Sequence, residues 1–246
     1  MKSDLAISDY LNEVHTDWLE SRESFPKNVY LKHYWPIPFF GNPATALVAT
    51  VGVNPSSGEF AQGRKWKDVQ SAKDWKLRLK NYFKGEVPAH RWFGTWSAGL
   101  DLLGVSYAAG TAAHVDVSYR PTKAMLRNRT TDHAEFRHMI DRDVAWLFQL
   151  LPLCPNLRGL LVFGPVVRSD GTTESLAAFF RNNASRHGVK VSPDNGVCRE
   201  VNGQPDWNFF IHEVTALETE DVTDTVLENL TQHRQILLGK LHLKSK

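Results

Sequence analysis

The chain has 246 residues, 42% of them hydrophobic and 23% charged, and its 29 basic and 27 acidic residues leave a formal charge of +2. This composition excludes an intrinsically disordered chain, and the length allows one large domain or two small ones. The two cysteines, Cys154 and Cys198, are too few for a disulfide framework, an iron–sulfur cluster or a structural zinc site, which favours a reducing, cytoplasmic setting. No segment has the length and apolar character of a membrane span or an export signal, so we expect no membrane partner.

Hydrophobic periodicity predicts an amphipathic first helix over residues 9–22, which stops before Pro26. Beyond it, strand-like and helix-like segments alternate, as expected for strands joined by parallel crossovers. These segments are residues 46–53, 96–103, 113–118, 133–151, 159–163, 173–187, 209–212 and 222–238. We therefore expect a three-layer α/β/α sandwich formed by a single domain over residues 1–246, with residues 1–33 as an N-terminal helical extension and residues 188–206 as a hairpin insertion.

Polar residues follow the predicted strands at their carboxyl ends, which is where an open parallel sheet binds its ligand. Four such ends are visible: residues 52–56, 116–121, 163–165 and 210–213. In the first, Gly52 allows a close approach and Pro55 fixes one dihedral angle, so that Asn54 is held between them. The Asn54 amide both donates and accepts, which suits it to orient a water molecule; the alternative is an ordinary Asn-Pro turn that caps the next segment.

The second and last strand endings carry further candidate site residues. His114, Asp116 and Ser118 fall on one face of a strand by its period of two, which is unusual in a sheet covered on both sides. A buried carboxylate needs compensation, so Asp116 either accepts hydrogen bonds from a turn or from His114, or points into a pocket. His212 follows an apolar run and is suited to stabilise an anionic leaving group, with a structural histidine as the alternative.

Several motifs of cofactor sites are absent from the sequence. The remaining histidines show no metal-ligand spacing, and the chain lacks a Gly-x-x-x-x-Gly-Lys-Ser/Thr loop, a Gly-x-Gly-x-x-Gly turn and a Gly-x-Ser-x-Gly elbow. No metal or cofactor is therefore predicted. A nucleotide-binding or hydrolytic α/β enzyme of another kind is a further alternative, which these absences disfavour.

Basic residues are concentrated in two segments of the sequence. Residues 64–84 hold eight basic against two acidic residues, interleaved with four aromatic residues, Trp66, Trp75, Tyr82 and Phe83. This mixture suits a surface that neutralises phosphates and stacks on bases, and the alternative is a solvated helix whose aromatic side chains face the core. A second cluster follows the second strand ending and comprises Arg120, Lys123, Arg127 and Arg129. Together the two clusters favour nucleic acid as the partner.

The first strand ending resembles a motif of the uracil-DNA glycosylase superfamily, in which a strand runs into a Gly-x-Asn-Pro or related turn. Here the motif reads Val51-Gly52-Val53-Asn54-Pro55-Ser56, and Pro38-Phe39-Phe40-Gly41 precedes it. The last motif of that family is a strand that ends in a catalytic His or Asn, which corresponds to His212. Many relatives have Pro-Ser after this histidine, whereas this chain has Glu213-Val214. The resemblance covers residues 39–238 and implies a central, mostly parallel four-stranded sheet.

The resemblance implies a monofunctional DNA glycosylase, which flips a nucleotide out of the duplex and hydrolyses its N-glycosidic bond to leave an abasic site. Asn54 would hold the attacking water and His212 would stabilise the departing base. The substrate-binding residues would be Gly52, Pro55, Phe60, Asp116 and Ser118, with Phe60 stacked on the flipped base or, alternatively, packed in the core. The DNA-binding residues would be Ser56, Arg64, Lys65, Arg120, Lys123 and Leu217. Such an enzyme is expected to be a monomer that binds DNA and needs no cofactor.

Asp116 stands where uracil-specific relatives place an asparagine that reads the edge of the pyrimidine. An amide both donates and accepts, whereas an ionised carboxylate only accepts and therefore favours the exocyclic amino group of cytosine. Our hypothesis is that the substrate is a modified cytosine of phage DNA, which would make the protein an anti-phage defence enzyme. Two alternatives stay open: repair of uracil or a damaged pyrimidine, and a catalytically inactive DNA-binding module of the same fold.

Overall fold

The structure, a computed structural model, describes residues 2–25, 31–60, 66, 68–85, 89–122, 132–191, 196–201, 204–214 and 222–243. Within these residues the chain forms the helices α1 (Lys2–Ser21), α2 (Ala72–Lys80), α3 (Trp92–Leu102), α4 (His133–Leu150), α5 (Leu176–Ala184) and α6 (Val222–Lys240). The strands are β1 (Phe39–Phe40), β2 (Val48–Gly52), β3 (Ala112–Asp116), β4 (Gly159–Val162), β5 (Pro165–Val167), β6 (Thr173–Ser175), β7 (Lys190–Val191), β8 (Gly196–Val201) and β9 (Gln204–Glu213). In this described part of the chain, no helix has the length and apolar character needed to cross a membrane.

A seven-stranded mixed sheet forms the centre of the fold, in the order β1-β3-β2-β4-β9-β8-β7. The four inner strands, β3, β2, β4 and β9, are parallel to one another. β1 pairs antiparallel with β3 at one edge, and β8 pairs antiparallel with β9 at the other. The mostly parallel α/β sheet is as predicted, but the prediction of four strands is wrong, because antiparallel strands cover the unpaired backbone groups that four strands would leave at both edges. Residues 190–201, within the predicted hairpin insertion, supply β7 and β8.

The helices lie on both faces of the sheet because crossovers between parallel strands are right-handed. The chain steps from β2 to β3 in one direction and from β3 to β4 in the other, so that α3 and α4 lie on opposite faces. α6 packs against α3, and α1 packs against α4. The layers are therefore α3 with α6, the sheet, and α1 with α4.

The apolar runs predicted as buried strands form β2 and β4 at the centre of the sheet. Val48, Val51, Leu160 and Leu161 have no exposed surface, as expected for parallel strands that helices cover on both faces. Thr50 is equally buried although it is polar. Its hydroxyl therefore needs a hydrogen-bond partner inside the protein.

The first helix is longer than the sequence predicts, because α1 begins at Lys2 instead of residue 9. The added residues contain neither glycine nor proline, and Asp4 lies in the first turn, where a carboxylate interacts favourably with the helix dipole. One face of α1 is buried through Tyr10, Leu11, Val14 and Trp18. This helix is thus part of the packed core and ends at Ser21, before Pro26 as predicted.

The packing of α3 on α6 leads to a prediction about two glycines of α3. A Cβ at Gly99 would lie 2.5 Å from Cδ1 of the buried Leu230 in α6, whereas a Cβ at Gly94 would meet no heavy atom within 4 Å. We expect Gly99→Ala to lower the free energy of unfolding by about 1–3 kcal/mol through overpacking. Gly94→Ala is expected to raise the free energy of unfolding by up to about 1 kcal/mol through its higher helix propensity. Urea unfolding followed by circular dichroism measures both, and equal effects of the two substitutions would contradict this packing.

Candidate active site

The strand order creates a switch point between β2 and β4. The crossover that leaves β2 runs toward β3, the one that leaves β4 runs toward β9, and β2 and β4 are neighbours. Such a reversal opens a crevice beyond the carboxyl ends of the two strands, where open α/β sheets bind ligands. The register places Gly52 of β2 directly opposite Asp116 of β3 at this edge. Two of the predicted strand endings therefore meet at the candidate site.

Gly52 leaves the space that the Asp116 side chain occupies. A Cβ at position 52 would lie 2.6 Å from Oδ1 of Asp116 and 2.9 Å from Nε2 of His114. A methyl group cannot enter this space without displacing both groups. The sequence predicts a close approach at Gly52, and the structure shows that side chains of the neighbouring strand make it.

Asp116 is a buried carboxylate with one unpaired oxygen. Its side chain is 2% exposed and its Oδ1 lies 3.3 Å from Nε2 of His114, while its Oδ2 has no hydrogen-bond partner among the described residues. Burial raises the pKa of this carboxyl, and the neighbouring His114 opposes part of that rise. Asp116 thus pairs with His114, which was one of the two alternatives, and its buried Oδ2 has no donor among the described residues.

The pair of Asp116 and His114 is the end of a longer chain of buried polar groups. Nδ1 of His114 lies 2.9 Å from Oγ1 of Thr50, which lies 2.5 Å from the hydroxyl oxygen of Tyr107. Three aromatic rings surround the imidazole at centroid distances between 4.7 and 5.6 Å, those of Trp92, Phe93 and Phe40. The imidazole therefore lies among apolar rings and finds its polar contacts within this chain.

Sequence reasoning missed Thr50 and Tyr107 as members of the site. The available signal for Thr50 is a polar residue within an apolar strand, directly opposite His114 in the register of β2 and β3. Tyr107 lies in the connection before β3 and gives no such signal. Its place in the chain depends on how that connection folds.

Asn54 is held in place by its amide nitrogen. Nδ2 donates to Oγ1 of Thr122 and to the carbonyl oxygen of Pro55, each at 2.8 Å. Because a carbonyl oxygen only accepts, the contact with Pro55 determines which side of the amide carries the nitrogen. Within the described part of the chain, no donor reaches Oδ1. The half-buried Asn54 therefore presents an acceptor to a ligand or a water molecule.

The segments that follow β2 and β3 are joined to each other beyond the sheet. Four backbone hydrogen bonds of 2.9 to 3.2 Å connect residues 52–57 to residues 117–122. Ser56 forms an isolated bridge with Thr122, and the Ser56 hydroxyl oxygen accepts from the N–H of Gly58. Ser56, predicted to bind a phosphate, is thus half-buried and has a role in the turn.

His212, the second predicted catalytic residue, lies apart from Asn54. Its Nε2 is 2.8 Å from Oδ1 of Asn229 in α6, so a neutral imidazole donates this proton to the helix. Burial lowers the pKa of His212, and the hydrogen bond to Asn229 opposes part of that change. β4 separates β9 from β2, so the two strands are about 10 Å apart. The structure does not bring the two predicted catalytic residues into contact.

Arg120 is fully buried, which corrects its predicted role as a phosphate contact. Its Nε donates to Oδ2 of Asp143 at 2.9 Å and one terminal nitrogen donates to Oγ of Ser21 at 2.6 Å. Neither Arg120 nor Asp143 has an exposed side chain. A guanidinium enclosed in this way does not reach a DNA phosphate. It instead ties the segment after β3 to α4 and α1.

Ser118 belongs to the same buried cluster and not to a ligand pocket. Its hydroxyl donates to Oδ2 of Asp143 at 2.6 Å, and the N–H of Arg120 donates to the Ser118 oxygen at 3.2 Å. The residue has no exposed surface. Its predicted role in substrate binding is therefore corrected to an anchor for the segment after β3.

Phe60 stacks on another ring of the protein. Its centroid lies 4.1 Å from that of Tyr34 at an interplanar angle of 11°, and its side chain is buried. This arrangement favours the alternative in which Phe60 packs within the protein instead of on a base. The other predicted DNA-binding residues lie outside the described residues: Arg64, Lys65, Lys123 and Leu217.

No family model matches the chain, and a comparison with the curated proteins found no match. Among the described residues, no group of three or more His, Cys, Asp or Glu side chains is arranged to hold a metal ion.

The structural role of Arg120 gives a prediction about two aspartates of α4. Asp143 pairs with Arg120 and is fully buried, whereas Asp141 pairs with Arg137 at 2.8 Å and is 39% exposed. We expect Asp143→Asn to lower the free energy of unfolding by about 3–5 kcal/mol, because it removes the fully buried carboxylate beside Arg120 and leaves only the partly exposed Asp17, at 3.3 Å, to compensate its charge. Asp141→Asn is expected to cost less than about 1 kcal/mol. Denaturant unfolding of both variants measures the difference, and similar losses would argue against a buried Arg120.

Proposed function

We propose that this protein is a monofunctional DNA glycosylase that hydrolyses the N-glycosidic bond of a nucleotide flipped out of DNA. One observation carries the proposal: at the carboxyl ends of β2 and β3, beside the switch point, Oδ1 of Asn54 and the buried Oδ2 of Asp116 are acceptors for which the described residues supply no donor. The resemblance of residues 51–56 to the first motif of the uracil-DNA glycosylase superfamily supports the assignment.

Asn54 is the residue that we assign to the attacking water. Departure of the base leaves positive charge on the sugar, and a water held near the anomeric carbon captures it. Both hydrogens of Nδ2 are used by Thr122 and Pro55, so the side chain meets the water through Oδ1. Oδ1 accepts one water hydrogen and leaves a water lone pair for the carbon. An amide does not take up the proton that the water loses, and this proton instead neutralises the anionic base that leaves. The contribution of Asn54 is therefore to orient the water.

Asp116 is the residue that we assign to the edge of the base. An ionised carboxylate only accepts, so the ligand has to bring an N–H donor, as cytosine does with its exocyclic amino group. Uracil has a carbonyl oxygen at that position and would leave two acceptors facing each other. We propose a modified cytosine as the substrate, because removal of ordinary cytosine would damage the DNA of the host. Such an enzyme would act in defence against phages that modify their DNA.

We assign His212 to the departing base and expect it to contribute less to the rate than Asn54 does. The proton on its Nε2 is donated to Asn229, and the Nδ1 of a neutral imidazole accepts and does not donate. Stabilising an anionic base would require the contact with Asn229 to be exchanged. For this reason we expect His212→Ala to lower turnover less than Asn54→Ala does.

Turnover should depend on Asn54 and not on a matched asparagine elsewhere. We expect Asn54→Ala to lower kcat by at least about 100-fold while DNA affinity stays nearly unchanged. The control is Asn156→Ala, which removes an amide that donates to the carbonyl of Ala44 at 2.8 Å, before the amino end of β4. The measurement is alkaline strand cleavage of matched oligonucleotides that contain uracil, cytosine, hydroxymethylcytosine or glucosylated hydroxymethylcytosine.

Each outcome of this assay decides between the alternatives. Abasic sites formed by the wild type and by Asn156→Ala, but not by Asn54→Ala, would support a glycosylase. A preference of the wild type for uracil would indicate ordinary repair instead of the removal of a modified cytosine. Asp116→Asn is expected to shift the base preference of the enzyme toward uracil. If no substrate gives a product and DNA binding is salt-sensitive, the proposal of an enzyme is overturned and a DNA-binding module remains.

A further inference from the structure

The buried chain formed by Tyr107, Thr50, His114 and Asp116 extends well beyond the residue that the proposed function uses. Its consecutive hydrogen-bond distances are 2.5, 2.9 and 3.3 Å, and no member is more than 6% exposed. Four polar residues buried together in an otherwise apolar core need a complete set of hydrogen-bond partners. The direction in which the protons point along this chain can therefore be determined by counting donors and acceptors.

One arrangement with a neutral imidazole gives every donor in the chain an acceptor. Burial raises the pKa of the Tyr107 hydroxyl, which therefore keeps its proton, and Oγ1 of Thr50 is its hydrogen-bond partner. If Tyr107 donates to Thr50, Thr50 donates to Nδ1 of His114. The single proton of the neutral imidazole is then on Nε2, where it points at Oδ1 of Asp116.

The reverse arrangement leaves a buried donor without a partner. A proton on Nδ1 of His114 would point at Thr50, and Thr50 would then donate to the Tyr107 oxygen. The hydroxyl proton of Tyr107 would have no acceptor among the described residues. A doubly protonated imidazole leaves one of the two hydroxyl protons unpaired for the same reason, and unsatisfied buried donors are costly.

We infer that Tyr107, Thr50 and His114 are positioning residues that fix Asp116 as a hydrogen-bond acceptor, so that its Oδ2 selects a ligand group carrying an N–H donor. The inference rests on the proposed function for the identity of that ligand as a nucleic-acid base, and on the geometry alone for the direction of the chain. Because Oδ1 already accepts from His114, Oδ2 is the oxygen left for an amino or ring N–H group.

The surroundings of His114 favour a single direction of the hydrogen bonds along the chain. The rings of Trp92, Phe93 and Phe40 lie around the imidazole, and His114 is 3% exposed, so bulk solvent has little access to the chain. A site whose buried acceptor requires a donor discriminates strongly against a ligand that lacks one, because that acceptor is left unpaired. Tyr107, Thr50 and His114 would thus contribute to base selection without touching the base.

The direction of the chain is measurable by nitrogen-15 NMR of the imidazole in the full chain. We expect His114 at neutral pH to show an unprotonated Nδ1 and a protonated Nε2, with its signals assigned by their loss in His114→Gln. Thr50→Val removes the donor to Nδ1 and should shift these signals, whereas Tyr10→Phe, which removes the hydroxyl of a buried tyrosine in α1, should not. A protonated Nδ1 in the wild type would overturn the inference.

The consequence for selection is measured in the same variants. We expect Thr50→Val and Tyr107→Phe each to lower the ratio of kcat/KM for the amino-bearing substrate to that for the uracil substrate by about 5- to 10-fold, as the loss of one hydrogen bond predicts. The Tyr10→Phe control should leave the ratio unchanged. Circular dichroism checks that each variant is folded. If Thr50→Val does not fold, Tyr107→Phe provides the test.

The two proposals fail in distinguishable ways. An inactive wild type with an unprotonated Nδ1 on His114 would overturn the glycosylase and keep the direction of the chain. An active wild type whose Thr50→Val and Tyr107→Phe variants keep the substrate ratio of the control would keep the glycosylase and overturn the positioning roles.

Discussion

The parallel pairing of β2 and β3 is the constraint on which the candidate site depends. The register sets Thr50 opposite His114 and Gly52 opposite Asp116. Since side chains alternate between faces, both pairs project from the same face of the sheet, in two successive rows. One row supplies the hydroxyl and the imidazole, and the other supplies the carboxylate and the space it fills. A one-residue shift of the register would send these groups to opposite faces and separate them.

The central strands could be predicted from the sequence because their signal is local. The apolar runs at 47–53 and 160–163 are typical of strands buried on both faces, and they form β2 and β4. The period of two also predicted that His114 and Asp116 share a face, and they are in contact. The added strands at the edges could not be predicted in the same way, because a two-residue strand such as β1 exists only through its pairing with β3.

The candidate site was only partly predictable because its polar groups depend on distant partners. Arg120 reads as a surface charge in the sequence, yet its carboxylate partners Asp143 and Asp17 are 23 and 103 positions away. The helices α4 and α1 bring them together, and no local pattern reports this convergence. The same holds for His212, whose Nε2 proton is donated in a hydrogen bond to Asn229 of α6. Sequence identifies the side chain at a strand end, and tertiary packing decides which of its atoms is left for chemistry.

The backbone hydrogen bonds between residues 52–57 and 117–122 have a consequence for how a ligand is bound. They join two connections into a single unit, so their conformational entropy is lost when the protein folds and not when a ligand arrives. Binding to such a preorganised edge avoids the cost of ordering these two segments, and more of the contact energy is retained as affinity. Adjustment of shape then falls largely on the ligand, which has to bring its reactive group to groups that are already in place.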